Sequence, residues 1–220
     1  MSGSVIYRGP SRINSRPIVV IATDGTQNRK TGDMIQTWIL AEDEAPHEAQ
    51  RTGADEAVCG SCPMRPSKGG GCYVATFQAP LSVWRAYHRG VYHDRSPAAV
   101  GAGRLVRIGS YGDPAAVPPR IWRALSSRAA GRTGYTHQWR RFRSALRPLV
   151  MASCNSRADA AEAQSKGWRT FRVAPKGRAE PMPGEIVCPA SVSDRQCSDC
   201  LACNGAESGS RRASIVIEHH

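Results

Sequence analysis

Short apolar runs alternate with amphipathic stretches along nearly the whole chain. "PIVVIATDG" (17–25) is rich in β-branched residues and closed by a turn, the pattern of a buried strand. "TGDMIQTWILAED" (31–43) reads as a helix, with Thr31 as cap and Ile35, Trp38 and Ile39 on one face. The polar stretch that follows, up to the first cysteine, reads as solvent-facing surface. "YVATF" (73–77) reads as a short strand, and "PLSVWRAYHRG" (80–90) as a helix framed by proline and glycine. "RLVRIGSYGDP" (104–114) is a strand running into a Gly-rich turn, and "PPRIWRALSSRAAG" (118–131) a second Pro-started, Gly-ended helix.

Further on come a strand at 133–139, a short basic helix at 140–148 and a strand at 149–154. A helix at 156–167 has Ser156 as N-cap and Gly167 as its stop, and strands follow at 168–175, 185–188 and 214–219. Strand and helix alternating at this rhythm predict βαβ units on a mainly parallel sheet. The expected fold class is α/β, a partial or full (β/α) barrel with a C-terminal cysteine-rich cluster loop; an open doubly wound sheet is the rival. In either, function sits at the C-terminal ends of the strands. The expected segments are an N-terminal strand–helix piece (1–58), an α/β core carrying the first cysteine loop (59–187), and a cysteine-rich metal loop with a terminal strand (188–220).

The 220 residues suffice to bury a core without staples. No apolar run is long enough for a membrane span and the N-terminus lacks an apolar signal region, so a cytoplasmic protein is expected. In that compartment thiols stay reduced, and eight closely spaced cysteines read as metal ligands rather than disulfides.

The late group is Cys188-x8-Cys197-x2-Cys200-x2-Cys203. Four soft thiolates complete a tetrahedral zinc site or hold an iron–sulfur cluster, and consecutive x2 steps favour the cluster. The early group is Cys59-x2-Cys62-x9-Cys72, three ligands in one Gly- and Pro-rich loop. Its fourth place has two readings. Cys154 swings in and closes the site, or a fourth iron stays open to a substrate or cofactor and Cys154 is a small buried apolar residue.

This order of features resembles the radical SAM superfamily, and more closely its uncharacterised phage and plasmid relatives. The three-cysteine loop precedes "GSYGDP" (109–114), which stands where that family carries a GGEP-type motif; "MASCNS" (151–156) resembles the ribose-contacting strand end, and the late cysteines resemble an auxiliary cluster. The usual family spacing is CxxxCxxC, whereas this loop has x2 and x9. The resemblance implies a partial (β/α) barrel and a 4Fe-4S cluster on Cys59, Cys62 and Cys72. It implies an S-adenosylmethionine-contacting edge at Gly109, Ser110, Tyr111, Gly112 and Asp113, ribose contacts from Ser153 and Asn155, and an electron donor as partner.

A formal charge of +12 draws polyanions. Between Pro114 and Ala158 there is no acidic residue, while Arg120, Arg123, Arg140, Arg141 and Arg143 are interleaved with aromatics including Trp139. Arginines neutralise phosphates and aromatic faces stack unpaired bases, so a nucleic acid or phosphate-bearing substrate is expected. In the same stretch His137 is a candidate acid, base or ligand. Two function classes result. One is an iron–sulfur enzyme acting on a nucleic acid or nucleotide. The other is a non-catalytic basic nucleic-acid-binding domain built on two four-cysteine zinc sites.

Overall fold

Ten strands join in a single sheet. They are β1 (Gly3–Pro10), β2 (Pro17–Thr23), β3 (Ile35–Ala41), β4 (His93–Asp94), β5 (Leu105–Tyr111), β6 (Gly131–Thr136), β7 (Met151–Cys154), β8 (Thr170–Ala174), β9 (Glu185–Val187) and β10 (Ser214–Glu218). The computed structural model describes residues 2–25, 27–206 and 212–219, the side chains of Arg143 and Ser144 excepted. The spatial order is β4-β1-β2-β3-β5-β6-β7-β8-β10-β9, an open array and not a closed barrel. From β3 to β9 all neighbours run parallel, while β1, β2 and β3 form an antiparallel meander at one side. Parallel neighbours need crossovers. The helices in chain order are α1 (Pro46–Thr52), α2 (Glu56–Cys59), α3 (Ala79–His88), α4 (Pro97–Gly101), α5 (Pro119–Ser126), α6 (Arg143–Leu146), α7 (Arg157–Ser165), α8 (Pro189–Val192) and α9 (Cys197–Cys200).

The three expected segments are therefore parts of one sheet. Residues 1–58 contribute β1 to β3, and residues 188–220 return β10 between β8 and β9. The helix expected at 31–43 is strand β3. All seven of its residues are buried, and a strand covered on both faces reads as an unbroken apolar run instead of an alternation. The strand expected at 73–77 is irregular backbone leading into α3. The stretch read as solvent-facing holds α1 and α2, which bury Pro46, Ala49, Ala57 and Val58. Proline- and glycine-framed α3 and α5, and Ser156-capped α7, form where the sequence places them.

Strand alternation sorts side chains onto two faces. One face packs the helices. Val106 and Ile108 of β5 and Ala152 and Cys154 of β7 join Trp122, Leu125, Trp139, Ala160 and Ala163 in the main core. The other face carries Met151, Ile215 and Cys203, with Tyr135 and Phe171 packed against them. No helix among the described residues is long and apolar enough to cross a membrane.

Candidate functional site

The first cysteine loop follows β3, the first parallel strand, at the edge where the C-terminal ends of β3, β5 and β6 meet. α2 is one turn long and delivers Cys59; its chain then turns at Gly60, φ 58°. A Cβ there would lie 2.8 Å from the Gln138 amide, so only glycine lets the loop pass the end of β6. The loop is held by Arg65, which is buried and paired with Asp55. It also donates to the Gly60 carbonyl at 2.9 Å and the Gly53 carbonyl at 2.8 Å. Cys59, Cys62 and Cys72 stand close enough to act on one another's ionisation. Burial pushes all three thiols up, Cys62 to about 12.

Strand β6 ends against this loop. Cys62 Sγ and His137 Nδ1 are 3.4 Å apart, a contact whose donor depends on the imidazole tautomer. Burial lowers His137 to about 4, so the ring is neutral and able to accept a proton, donate one or ligate. Its other nitrogen turns toward Asn155. Neither His137 Nε2 nor Asn155 Oδ1, both shielded from solvent, has a well-aligned hydrogen bond.

Cys154 does not join the group. It stands on the helix-facing side of β7, 1% exposed, with its thiol 3.6 Å from the Ala152 carbonyl. Alternation is the reason: Met151 and Ser153 face the cysteine side, and the next residue cannot. The reading in which Cys154 closes the first site is thereby corrected. Cys154→Ala is expected to leave metal content unchanged and to cost about 1 kcal/mol of stability through lost packing. Metal analysis alongside thermal melting checks both.

The expected ligand edge is also largely consumed by the fold. Asp113 accepts from the Ala115 amide (2.9 Å), the His137 amide (2.7 Å) and the Thr136 hydroxyl (2.6 Å), knotting the end of β5 to the end of β6. Burial raises its pKa to about 6 against these donors. Ser110 donates to Gln36 Oε1 at 2.7 Å. Gly109 and Gly112 have φ of 74° and 82°, and a Cβ on Gly112 would lie 2.6 Å from Ile39 Cβ. Their close approach is to β3, not to a ligand. Of this edge, the Tyr111 hydroxyl alone is buried without a partner among the described residues, and it senses the charge of Cys59 and Cys72. Ser153 and Asn155 do sit at the end of β7 beside His137, as expected of that strand end.

The late cysteines form a second nest on the same face, lower along the strands. Cys188 caps α8 after β9, its amide donating to the Val216 carbonyl at 2.8 Å. Cys197 and Cys200 are the two ends of the single-turn α9, three residues apart and so on one side. The Cys203 carbonyl accepts from the Gly134 amide of β6 at 3.0 Å. Cys188, Cys197, Cys200 and Cys203 line one cavity of about 270 Å³ including its open mouth, together with Thr133 and Ile215. Arg169 clamps the loop. Its guanidinium donates to the carbonyls of Ala202 (2.7 Å), Asn204 (2.8 Å) and Ala213 (2.5 Å). Burial raises the thiols of Cys197 and Cys203, the latter to about 12. Metal binding at either nest must therefore release protons.

One strand runs past both nests. Alternate residues of β6 and its end are Thr133 at the late cavity, Tyr135 next, and His137 at the first loop. At about 3.3 Å per residue, Thr133 and His137 are separated by roughly 13 Å. Among the described residues, no three His, Cys, Asp or Glu donors converge as the ligands of a single ion would. The donor chemistry fits a thiophilic group nonetheless: four thiols share the late cavity, and the Thr133 hydroxyl lining it is buried with no partner.

The arginine-rich stretch divides. Arg120, Arg123 and Arg141 are exposed. Arg140 is spent on Asp159 and Glu162 and lies 3.9 Å above the Trp139 ring. Trp139 is 1% exposed and donates its indole N–H to the Ser153 carbonyl, so it cannot stack a base, and that expectation is corrected. The Arg143 side chain lies outside the described residues. The exposed aromatics are instead Tyr73 (74%) and Phe77 (65%), which flank Cys72 and α3. Sequence reasoning missed them as surface groups because "YVATF" has strand composition. It missed Arg65, Arg107 and Arg169 because a lone arginine carries no motif. Comparisons with protein-family models, with curated proteins and with solved structures found no match.

Proposed function

We propose that this chain is an iron–sulfur protein of the radical SAM type, acting on a nucleic acid or nucleotide. The observation that carries the reading is the segregation of seven cysteines into a three-thiol nest at the C-terminal ends of parallel strands and a four-thiol nest beside it. Cys59, Cys62 and Cys72 would hold a 4Fe-4S cluster, leaving one iron without a cysteine. Cys188, Cys197, Cys200 and Cys203 would hold an auxiliary cluster. When bound, a cluster with S-adenosylmethionine supplies one-electron reductive cleavage of the sulfonium, the electron coming from an external donor.

The chain's own part is to bind and orient. Tyr111, His137 and Asn155 present buried polar atoms without partners beside the first nest, which is what a ligand's hydrogen-bonding groups would satisfy. Neutral His137 can exchange a proton at Nδ1 or Nε2. Exposed Tyr73 and Phe77 offer stacking faces, and Arg120, Arg123 and Arg141 offer charge to phosphates.

The zinc-stabilised binding domain is less well supported, because the position of Cys154 deprives it of one of its two four-cysteine sites. Anaerobic purification and reconstitution tests the choice. Brown protein containing iron and sulfide, with an electron paramagnetic resonance signal that changes on adding S-adenosylmethionine, is the expected result. Colourless protein holding zinc would overturn it.

A further inference from the structure

Four arginines of this chain are wholly or mostly withdrawn from solvent. Three are matched: Arg65 by Asp55, Arg172 by Glu185, and Arg169 by a set of carbonyls. Arg107 is not. It projects from β5 onto the cysteine-bearing face, and among the described residues no carboxylate pairs with it and no acceptor takes its N–H groups. What surrounds it is Tyr73, Tyr135, Cys197 and Cys203. Its guanidinium lies 5.4 Å from the Tyr135 ring centroid. A cation–π contact contributes about 0.5–2 kcal/mol, whereas withdrawing an ion from water costs several. The ring alone does not account for a charge held here.

The groups that could match it are the sulfurs. Burial works against the Arg107 charge, yet the tyrosines, Cys197 and Cys203 outweigh burial and raise its pKa. Tyr135 also hydrogen-bonds Cys203. Thr133, the register partner of Arg107 on β6, lines the late cavity with a buried hydroxyl that has no partner. A cation and two hydroxyls thus converge on the inner side of one four-cysteine nest.

We propose that Arg107 is the built-in counter-charge of the late nest, and that with the Tyr135 and Thr133 hydroxyls it holds an iron–sulfur cluster there at a less negative reduction potential. The reason is elementary: four thiolates make the site anionic, reduction adds a further negative charge, and a fixed neighbouring cation and hydroxyl donors stabilise the reduced form more than the oxidised one. Arg107 acts through the cluster's environment and is no ligand. The inference rests on the iron–sulfur reading above.

Potentiometric titration followed by electron paramagnetic resonance tests it, with the late signal assigned as the one lost in Cys200→Ser. In Arg107→Met the reduced-to-oxidised ratio of that signal at fixed potential should fall at least tenfold, about 59 mV for one electron. Arg107→Lys should keep most of the wild-type value, and the first nest's midpoint should move less. Tyr135→Phe, which retains the ring, should shift the late midpoint in the same direction by a smaller amount and serves if Arg107→Met does not fold. A late cluster whose midpoint stays put in both Arg107→Met and Tyr135→Phe, or in Tyr135→Phe where Arg107→Met fails to fold, overturns this inference alone. Wild-type protein without iron and sulfide overturns the reading beneath it.

Discussion

In Cys197→Ser/Cys200→Ser, iron and sulfide per chain are expected to fall by about half, and the segment from Cys188 to Ala206 to become open to proteolysis. That segment has little apolar burial of its own. α8 and α9 are single turns without buried residues, and their attachments are a few backbone hydrogen bonds, the Arg169 clamp and the thiols. Short helices of this kind are not stable by propensity. Cross-linking by metal would supply most of the free energy that holds the loop on the sheet, so losing two of four ligands should open it. Cleavage at least about tenfold faster than wild type, with the cut sites mapped by mass spectrometry, is the expected readout. The α/β core should keep its circular dichroism, because β5 to β8 pair with one another without the loop. The matching pair Cys59→Ser/Cys62→Ser should remove the other half of the iron and any response to S-adenosylmethionine. Equal loss of iron from both nests in either double variant would contradict two independent sites.

Much of the parallel part of this architecture was legible because its punctuation is local. Proline at the start and glycine at or near the end frame α3 and α5, and Ser156 accepts from the Asp159 amide as an N-cap should. β3 was misread for a reason that lies outside its own residues. Trp38, Ile39 and Leu40 are buried from both sides by neighbours distant in sequence, and an uninterrupted apolar run fits a helix face as well as a doubly covered strand. The late nest was legible because its x2 steps are short enough for local geometry to decide. The Cys154 question was not, since it turns on which face of β7 a residue occupies, and four residues of strand carry too little pattern to fix the phase.

The unmatched polar atoms were invisible for the same kind of reason. Nothing about Thr133 or Arg107 taken singly distinguishes them from a core threonine and a surface arginine. Their register across β5 and β6 sets them side by side under Cys203, and register is a property of the folded sheet. The same applies to Trp139, which as sequence is an aromatic among arginines. In the fold it is a core anchor whose charged neighbour Arg140 is already matched by α7.

Arg65→Met is expected to destabilise the protein by about 3–5 kcal/mol, the range for breaking a buried ion pair from one side. Asp55 is 1% exposed and Arg65 6%, so the carboxylate left behind has no solvent to turn to. The loss is not only electrostatic. Arg65 also holds the carbonyls of Gly53 and Gly60, which bracket α2, and without it those acceptors and the turn that delivers Cys59 lose their donor. Denaturant unfolding measures the stability change, and iron analysis should show the first nest emptied while the late nest keeps its metal, since Arg169 and not Arg65 clamps that loop. Asp55→Asn/Arg65→Met removes both charges together and should recover part of the stability, a coupling that a double-mutant cycle isolates. It should not restore the first nest, because a methionine cannot donate to the two glycine carbonyls. Recovery of stability without recovery of iron would separate the charge pair's contribution to folding from the guanidinium's placement of the three cysteines; recovery of both would mean that the loop keeps its shape on packing alone.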